Sequence, residues 1–328
     1  MNARLGTLLR VTVSVALAAV IIWNVDGLDE VWGSIVRADP VYLLLAFLVL
    51  TLDRFLMSYK WLVLLRSRGL GLPLVQTVKI YCSAMVWGMF LPATVGADAI
   101  RGYMASRQGL DGYEVFASIV VERLVGFVAS LFFGLIGIMI LSAIGLADER
   151  FDALWLASAG VLLGGAVSVS LSFNDRLFDR IVSALPARLR DSRLVRRLRH
   201  FHGIYAGYGA NGDVISGFFV LTLVEQYFVV LGMWLVAQAL GIEVGLLFLT
   251  GVVPLSMIIT RLPVTIDGIG VFEGFMILLL GMTGVPAAEA LALSLVGRVL
   301  QVVLWLPWWF AYTVQARSIR PPKGVAPS

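Results

Sequence analysis

Apolar runs dominate the chain, and their lengths sort them into two kinds. Residues 5–24, 40–62, 115–143, 153–173, 214–239 and 289–313 each approach or exceed the roughly 20 apolar residues that a helix needs to cross about 30 Å of hydrocarbon. Residues 74–91, 246–262 and 269–285 are also apolar, but they are shorter and interrupted by Pro and Gly. Such segments are where re-entrant or broken helices belong. The pattern predicts an all-α, polytopic membrane bundle of about 6–8 transmembrane helices plus one or two re-entrant or broken segments. It forms one membrane domain over 1–328, with a basic loop at 174–212 and a short tail at 314–328.

Composition agrees: 59% of residues are hydrophobic, 14% are charged, and the mean hydropathy is +0.92. No ordinary soluble domain has this balance. The net charge of +4 is carried mainly by Arg in a few loops, so it reads as topology rather than a nucleic-acid footprint. Cys82 is the single cysteine; it lies in an apolar segment and reads as a small buried hydrophobe. The first apolar run follows Arg4 and Arg10 and has no small-residue cleavage site, so it is expected to be a retained helix.

Basic residues orient the set, because they are held on the cytoplasmic side. Arg4, Arg10, Arg66, Arg68, Arg101, Arg107, Arg317, Arg320 and Lys323 ask to be inside, while Asp26, Asp29, Glu30, Asp148, Glu149 and Asp152 fall in outer loops. Both ends of segment 74–91 therefore belong on one side, which a hairpin dipping in from the cytoplasm satisfies and a full crossing does not. For 246–262 and 269–285 the charge rule leaves two single crossings and an outer hairpin equally open. The location expected is a bacterial-type inner (plasma) membrane with both termini cytoplasmic. The loop Asn174–Gly212 holds eight arginines against three aspartates. Its DRLFDRIVSALP stretch sets Leu177, Phe178, Ile181, Val182 and Leu185 on one face, an interfacial-helix pattern, and a polybasic strip follows that is able to hold anionic headgroups. The plainer reading of that strip is a topological anchor. His200 and His202, two residues apart, do not share a helical face, which argues against a metal site.

Ionisable residues inside spans cost at least about 2.5–3.5 kcal/mol each, so they are functional candidates. Asp53, Arg54 and Lys60 lie in the second span, Glu122 and Arg123 near the start of the third, Glu225 and Gln226 mid-span, and Arg298 in the last, on a face with Ser294 and Gln301. Each admits a structural explanation, either an ion pair or, for Arg54 and Lys60, snorkelling to the interface; together they suggest a polar cavity. Two broken segments also match. FLPATVGADAIRGYM carries Pro92, Thr94, Gly96, Asp98 and Arg101; RLPVTIDGIGVFEGFM carries Arg261, Pro263, Thr265, Asp267, Gly268, Gly270 and Glu273. Pro and Gly interrupt helices, and paired interruptions of this kind point to a midplane substrate site in transporters built from repeats. An internal repeat accounts for the match; so does chance in a Gly-rich chain.

With DRFLMSYKWLVLL, FLPATVGADAIRGY, SIVVERLVGF and LPVTIDGIGVFEG in view, the chain resembles the flippase-like transmembrane family typified by the N-terminal region of lysylphosphatidylglycerol synthase, over nearly its whole length. The resemblance implies movement of a modified phospholipid between leaflets. The soluble domain that makes the aminoacyl-lipid in that family is not expected here, since about fifteen residues follow the last span; an aminoacyl-, glyco- or polyprenyl-lipid cargo is equally open. In a transporter of this kind Arg101, Arg123 and Arg298 would hold phosphate, and Asp98, Glu122 and Glu273 an ammonium or a coupling proton. No Walker A motif is present, so ATP hydrolysis is not expected, and no cofactor or metal is implied. The partners expected are membrane lipids, a second copy of the chain through Gly160, Gly164 and Gly165, and a lipid-modifying enzyme; nucleic acid is not among them. Competing readings are a polyprenyl-phosphate-dependent glycosyltransferase using Asp26, Asp29 and Glu30, and a non-transporting scaffold.

Overall fold

A computed structural model of the chain describes residues 3–25, 28–88, 96–145, 149–260, 265 and 268–318. These form α1 (Ala3–Asn24), α2 (Leu28–Val36), α3 (Pro40–Ser67), α4 (Leu74–Gly88), α5 (Gly96–Ser106), α6 (Gly112–Ala143) and α7 (Glu149–Ser172). After them come α8 (Asp175–Ser183), α9 (Ala187–Arg190), α10 (Arg193–Gly209), α11 (Gly212–Ala239), α12 (Leu246–Thr260), α13 (Val271–Gly281) and α14 (Ala287–Ser318). No strand occurs among the described residues. Among the described residues, five stretches are long and apolar enough to cross a membrane: Pro40–Ser67, Gly112–Ala143, Trp155–Ser172, Gly212–Ala239 and Ala287–Val314. The first expected span coincides with α1, whose described apolar part is Thr12–Ile21.

Helix starts follow local chemistry. Asp39 accepts a hydrogen bond from the Val41 amide at 2.7 Å with Pro40 opening α3, and Asp111 accepts from the Tyr113 and Glu114 amides at the start of α6. Each satisfies amides that have no partner within the first helical turn. At 15 residues, α4 and α12 span about 22 Å, short of a crossing.

Both short helices turn back. Leu65 at the end of α3, Leu72 before α4, Met104 and Ala105 at the end of α5 and Val115 at the start of α6 share one buried cluster, so α4–α5 leaves and returns at the same end of the bundle. Leu235 and Ala237 of α11, Val244 and Phe248 around the start of α12, Leu279 and Leu280 of α13 and Ala290 of α14 meet likewise. The segments that the charge pattern left open therefore form a hairpin rather than two crossings.

The two hairpins belong to an internal repeat. Helices α3, α4, α5 and α6 have 28, 15, 11 and 32 residues, and α11, α12, α13 and α14 have 28, 15, 11 and 32. The halves run in opposite directions. The Asp39 amide at the head of α3 donates to the Ala239 carbonyl at the foot of α11 at 2.8 Å, Leu50 fills the space beside Gly232, and Lys60, further along α3, reaches back to Glu225 in the middle of α11 at 2.8 Å. Contacts between the halves repeat in kind: Ile258 of α12 lies against Gly134 of α6, and the equivalent Val86 of α4 clusters with Trp309 of α14. Gly137 and Gly251 let α6 and α12 approach backbone to backbone, since a Cβ on Gly137 would sit 2.7 Å from the Gly251 carbonyl oxygen. Small residues serve this purpose where apolar solvent offers no drive to pack.

Outside the repeat, α2 packs on the start of α14, and α7 lies on α6 with its apolar surface outward. Gly160 and Gly164 of α7 face open space, whereas Gly165 meets Leu131. The apolar face expected on the basic loop divides: Phe178 stacks on His202 of α10 at 3.9 Å and Val182 is buried, while Leu177 and Ile181 stay exposed. His202 pairs with Asp175 at 3.2 Å and approaches the Ser172 carbonyl, which ties the loop to α7.

Cysteine labelling checks the hairpins, because Cys82 is buried and adds little background. Single cysteines at Gly71 and Gln108 are expected to react from one side of the membrane, and those at Glu243 and Thr283 from the other. Reaction of the first two from opposite sides would make α4–α5 a crossing.

Candidate functional site

The charged residues sit where the repeat breaks and at its centre. Asp98, the third residue of α5, accepts from Arg123 Nε of α6 at 2.7 Å. Glu273, the third residue of α13, accepts from Arg298 of α14, at 2.9 Å from Nε and 2.7 Å from Nη2. Each arginine is the twelfth residue of its long helix, so one ion pair occurs in both halves at matched positions.

The first half builds further on its pair. Arg101 has no exposed surface, reaches Asp98 at 3.1 Å and Glu122 at 2.8 Å, and lies over the rings of both Trp61 and Tyr81, 4.8 and 4.6 Å from their centroids. The Tyr81 hydroxyl donates to Glu122 at 2.8 Å, and the Trp61 indole N–H donates to Ser118 at 3.0 Å. Two carboxylates and two guanidiniums thus neutralise one another within four helices, the arrangement that buried charge requires. Arg123 is the member with surface left, at 48%.

In the second half, Gly268 and Gly270 take left-handed angles of φ +70° and +82°, which other residues rarely adopt. A Cβ on Gly270 would also collide with Leu17 of α1. The Gly270 amide donates to Glu273 at 2.7 Å, holding the carboxylate against Arg298. Beside this pair is a cavity of about 160 Å³ lined by Thr260, Phe272, Gly297, Arg298, Gln301 and Met233 among others.

A third set lies where α3 and α11 cross. Asp53 and Glu225 are each the fourteenth residue of their helix. Asp53 pairs with Arg54, Glu225 with Lys60, and Lys60 also donates to Thr222 at 3.1 Å. Arg54 and Lys60 are 7% and 4% exposed, so neither snorkels. Of the candidates named from sequence, Asp98, Arg101, Glu122 and Arg123 come together, as do Glu273 and Arg298, and Asp53 and Arg54; every ion pair described among them falls within one of these sets. Gly96 opens α5 and Thr265 is buried. Pro92, Thr94, Arg261, Pro263 and Asp267 lie outside the described residues. Trp61, Tyr81 and Ser118, which enclose Arg101, were not among the candidates; an aromatic in an apolar run carries no sign of the cation it will face.

These features define a polytopic helical membrane protein whose half-membrane hairpins carry buried ion pairs. Residues 8–308 match the family described as "Lysylphosphatidylglycerol synthase TM region", and the chain belongs to it. It is similar to a "UPF0104 membrane protein" of Methanothermobacter thermautotrophicus, 23% identical over 313 residues that cover 90% of each chain. A second UPF0104 membrane protein, from Methanocaldococcus jannaschii, is 21% identical over 311 residues, 91% of this chain and 92% of the relative.

Thermal unfolding in detergent tests the Arg101 set. Arg101→Met leaves Glu122 without its cation and is expected to destabilise by about 3–5 kcal/mol. Adding Glu122→Gln should recover part of that loss; a double variant no more stable than the single would remove the stranded carboxylate as the cause.

Proposed function

We propose that this protein moves a phosphate-bearing lipid between the leaflets of a bacterial-type plasma membrane, with both termini and the basic loop on the cytoplasmic side. The observation that carries the reading is the matched ion pair, Asp98–Arg123 and Glu273–Arg298, at the inner ends of two oppositely inserted hairpins. Broken backbone at membrane depth needs shelter or a polar path, and opposed half-helices with charged partners suit a headgroup that must leave water on one side and re-enter it on the other. Acyl chains remain in lipid throughout. Arg123 and Arg298, which keep some exposed surface, meet the headgroup. Arg101 is enclosed and positions Asp98 and Glu122. Membership of the lysylphosphatidylglycerol synthase TM region family supports a lipid cargo.

Reconstitution into liposomes with fluorescent phospholipids is the test. The wild-type protein is expected to speed transbilayer movement, and Arg123→Gln and Glu273→Gln are expected to reduce it at least tenfold while inserting normally. Sugar transfer from a polyprenyl-phosphate donor without lipid movement would replace this reading with a glycosyltransferase, and neither activity would leave a scaffold.

A further inference from the structure

Helix α10 packs on the bundle at the end where α6 begins. Its later turns are covered: Phe201 meets Phe116 of α6 with ring centroids 5.5 Å apart, and Ile204, Tyr205 and Tyr208 share a cluster with Val121 and Val125. Toward its start, the side that meets α6 continues as Arg193, Arg196, Arg197 and His200, spaced i, i+3, i+4 and i+7 on one helical face. Helix α6 begins at Gly112, and its second residue, Tyr113, reaches this face with its ring edge-on to His200 at 5.0 Å. The five side chains line an open cleft of about 360 Å³, room for about twelve waters at their liquid volume.

Three guanidiniums at that spacing repel one another, and no acid lines the cleft with them. Among the described residues, Arg193, Arg196 and Arg197 have no ion pair, because the acids around them are engaged elsewhere. Asp111 caps α6, Glu114 holds Arg68, Asp175 pairs with His202, Asp179 with Arg199 and Asp191 with Arg190, and Asp213 stands in the first turn of α11. The side chains at this end outside the description, those of 1–11 and 315–328, include no Asp or Glu. Positive charge that only sets topology is counted by loop and is indifferent to helical face; here the unpaired arginines converge on one cleft.

We propose that this cleft binds the phosphate of an anionic lipid headgroup from the leaflet in which α6 begins. Guanidinium forks suit phosphate oxygens. A lipid is favoured over a soluble anion because α6 crosses the membrane and Tyr113, Phe116 and Phe127 lie exposed along one of its faces. Acyl chains resting on that face leave the headgroup at the level of Tyr113, where tyrosine favours the membrane–water interface. The site does not depend on the protein moving lipid.

His200 and His202 are the two histidines of the chain, and only His200 lines the cleft, so ring-labelled histidine gives a local readout by NMR of the full chain in neutral detergent. Dihexanoyl phosphatidic acid is expected to move the His200 signal and to leave that of His202, which faces Asp175 and Phe178, largely in place. Dihexanoyl phosphatidylcholine should bind at least about tenfold more weakly. Arg196→Gln with Arg197→Gln should weaken phosphatidic acid binding at least about tenfold, whereas Arg176→Gln with Arg188→Gln, which removes the same charge outside the cleft, should bind as wild type. Should the first pair fail to fold, Arg196→Lys with Arg197→Lys keeps the charge but loses the fork, and should weaken binding severalfold. No movement of His200, equal binding of phosphatidylcholine, unchanged affinity in the folded cleft variant, or an equal loss in the Arg176 and Arg188 control overturns the site. Inorganic phosphate binding as tightly as the lipid overturns the lipid as the ligand and keeps the oxyanion site.

Discussion

In hydrocarbon, a charge or an unpaired peptide group has only other protein groups to bond with, and the arrangement of this protein follows from that constraint. Helices α4 and α12 stop well short of a full crossing, so each leaves a helix end at a depth where water is scarce. The surrounding long helices, α6 and α14 above all, enclose those ends, and the acid on each returning helix is paired with an arginine on the long helix that follows it. The ion pair fastens a hairpin that the backbone alone could not hold at that depth.

Repetition explains how so many polar groups are accommodated in so apolar a chain. An inverted pair of four-helix units gives each hairpin the other unit's long helix as a wall, α14 for α4 and α6 for α12. The crossing of α3 and α11 holds the units together, through Leu50 against Gly232 and Lys60 against Glu225. The difference between the units is then informative. Buried charge is tolerated in the first because Arg101, Asp98, Glu122 and Arg123 balance; removing one member leaves another stranded, which is far more costly than the intact set is stabilising. In the second, Met233, Val253, Met276 and Gly297 take the places of Trp61, Tyr81, Arg101 and Glu122, so the Glu273–Arg298 pair has apolar neighbours there instead of a second pair.

Much of this was legible from residues alone. Run length separated full spans from half-spans, because hydrocarbon thickness sets a minimum for a crossing. The arginines around residues 74–91 required a hairpin there, and the recurring Leu-Pro-x-Thr segments (Leu91, Pro92, Thr94; Leu262, Pro263, Thr265) marked both breaks. The weak similarity around them concealed the length of the repeat, since matching helix lengths appear only once helix ends are seen. Charge counting was also silent on 246–262 and 269–285, because a hairpin and two crossings leave the same loops on the same sides.

Sequence by itself determined the class of the molecule, the approximate positions of its spans and breaks, and which polar residues lie within them; these depend on apolar length and local backbone chemistry, which are properties of contiguous residues. Only the tertiary structure decided that Arg101 is enclosed by Trp61 and Tyr81, that Lys60 is buried against Glu225 instead of snorkelling, and that Met233 packs against Gly297 at the place matched to Glu122 in the other half. Each of these joins helices distant in sequence, and a side chain's partner across such a distance is set by the packing angle and register of whole helices, which no local pattern encodes.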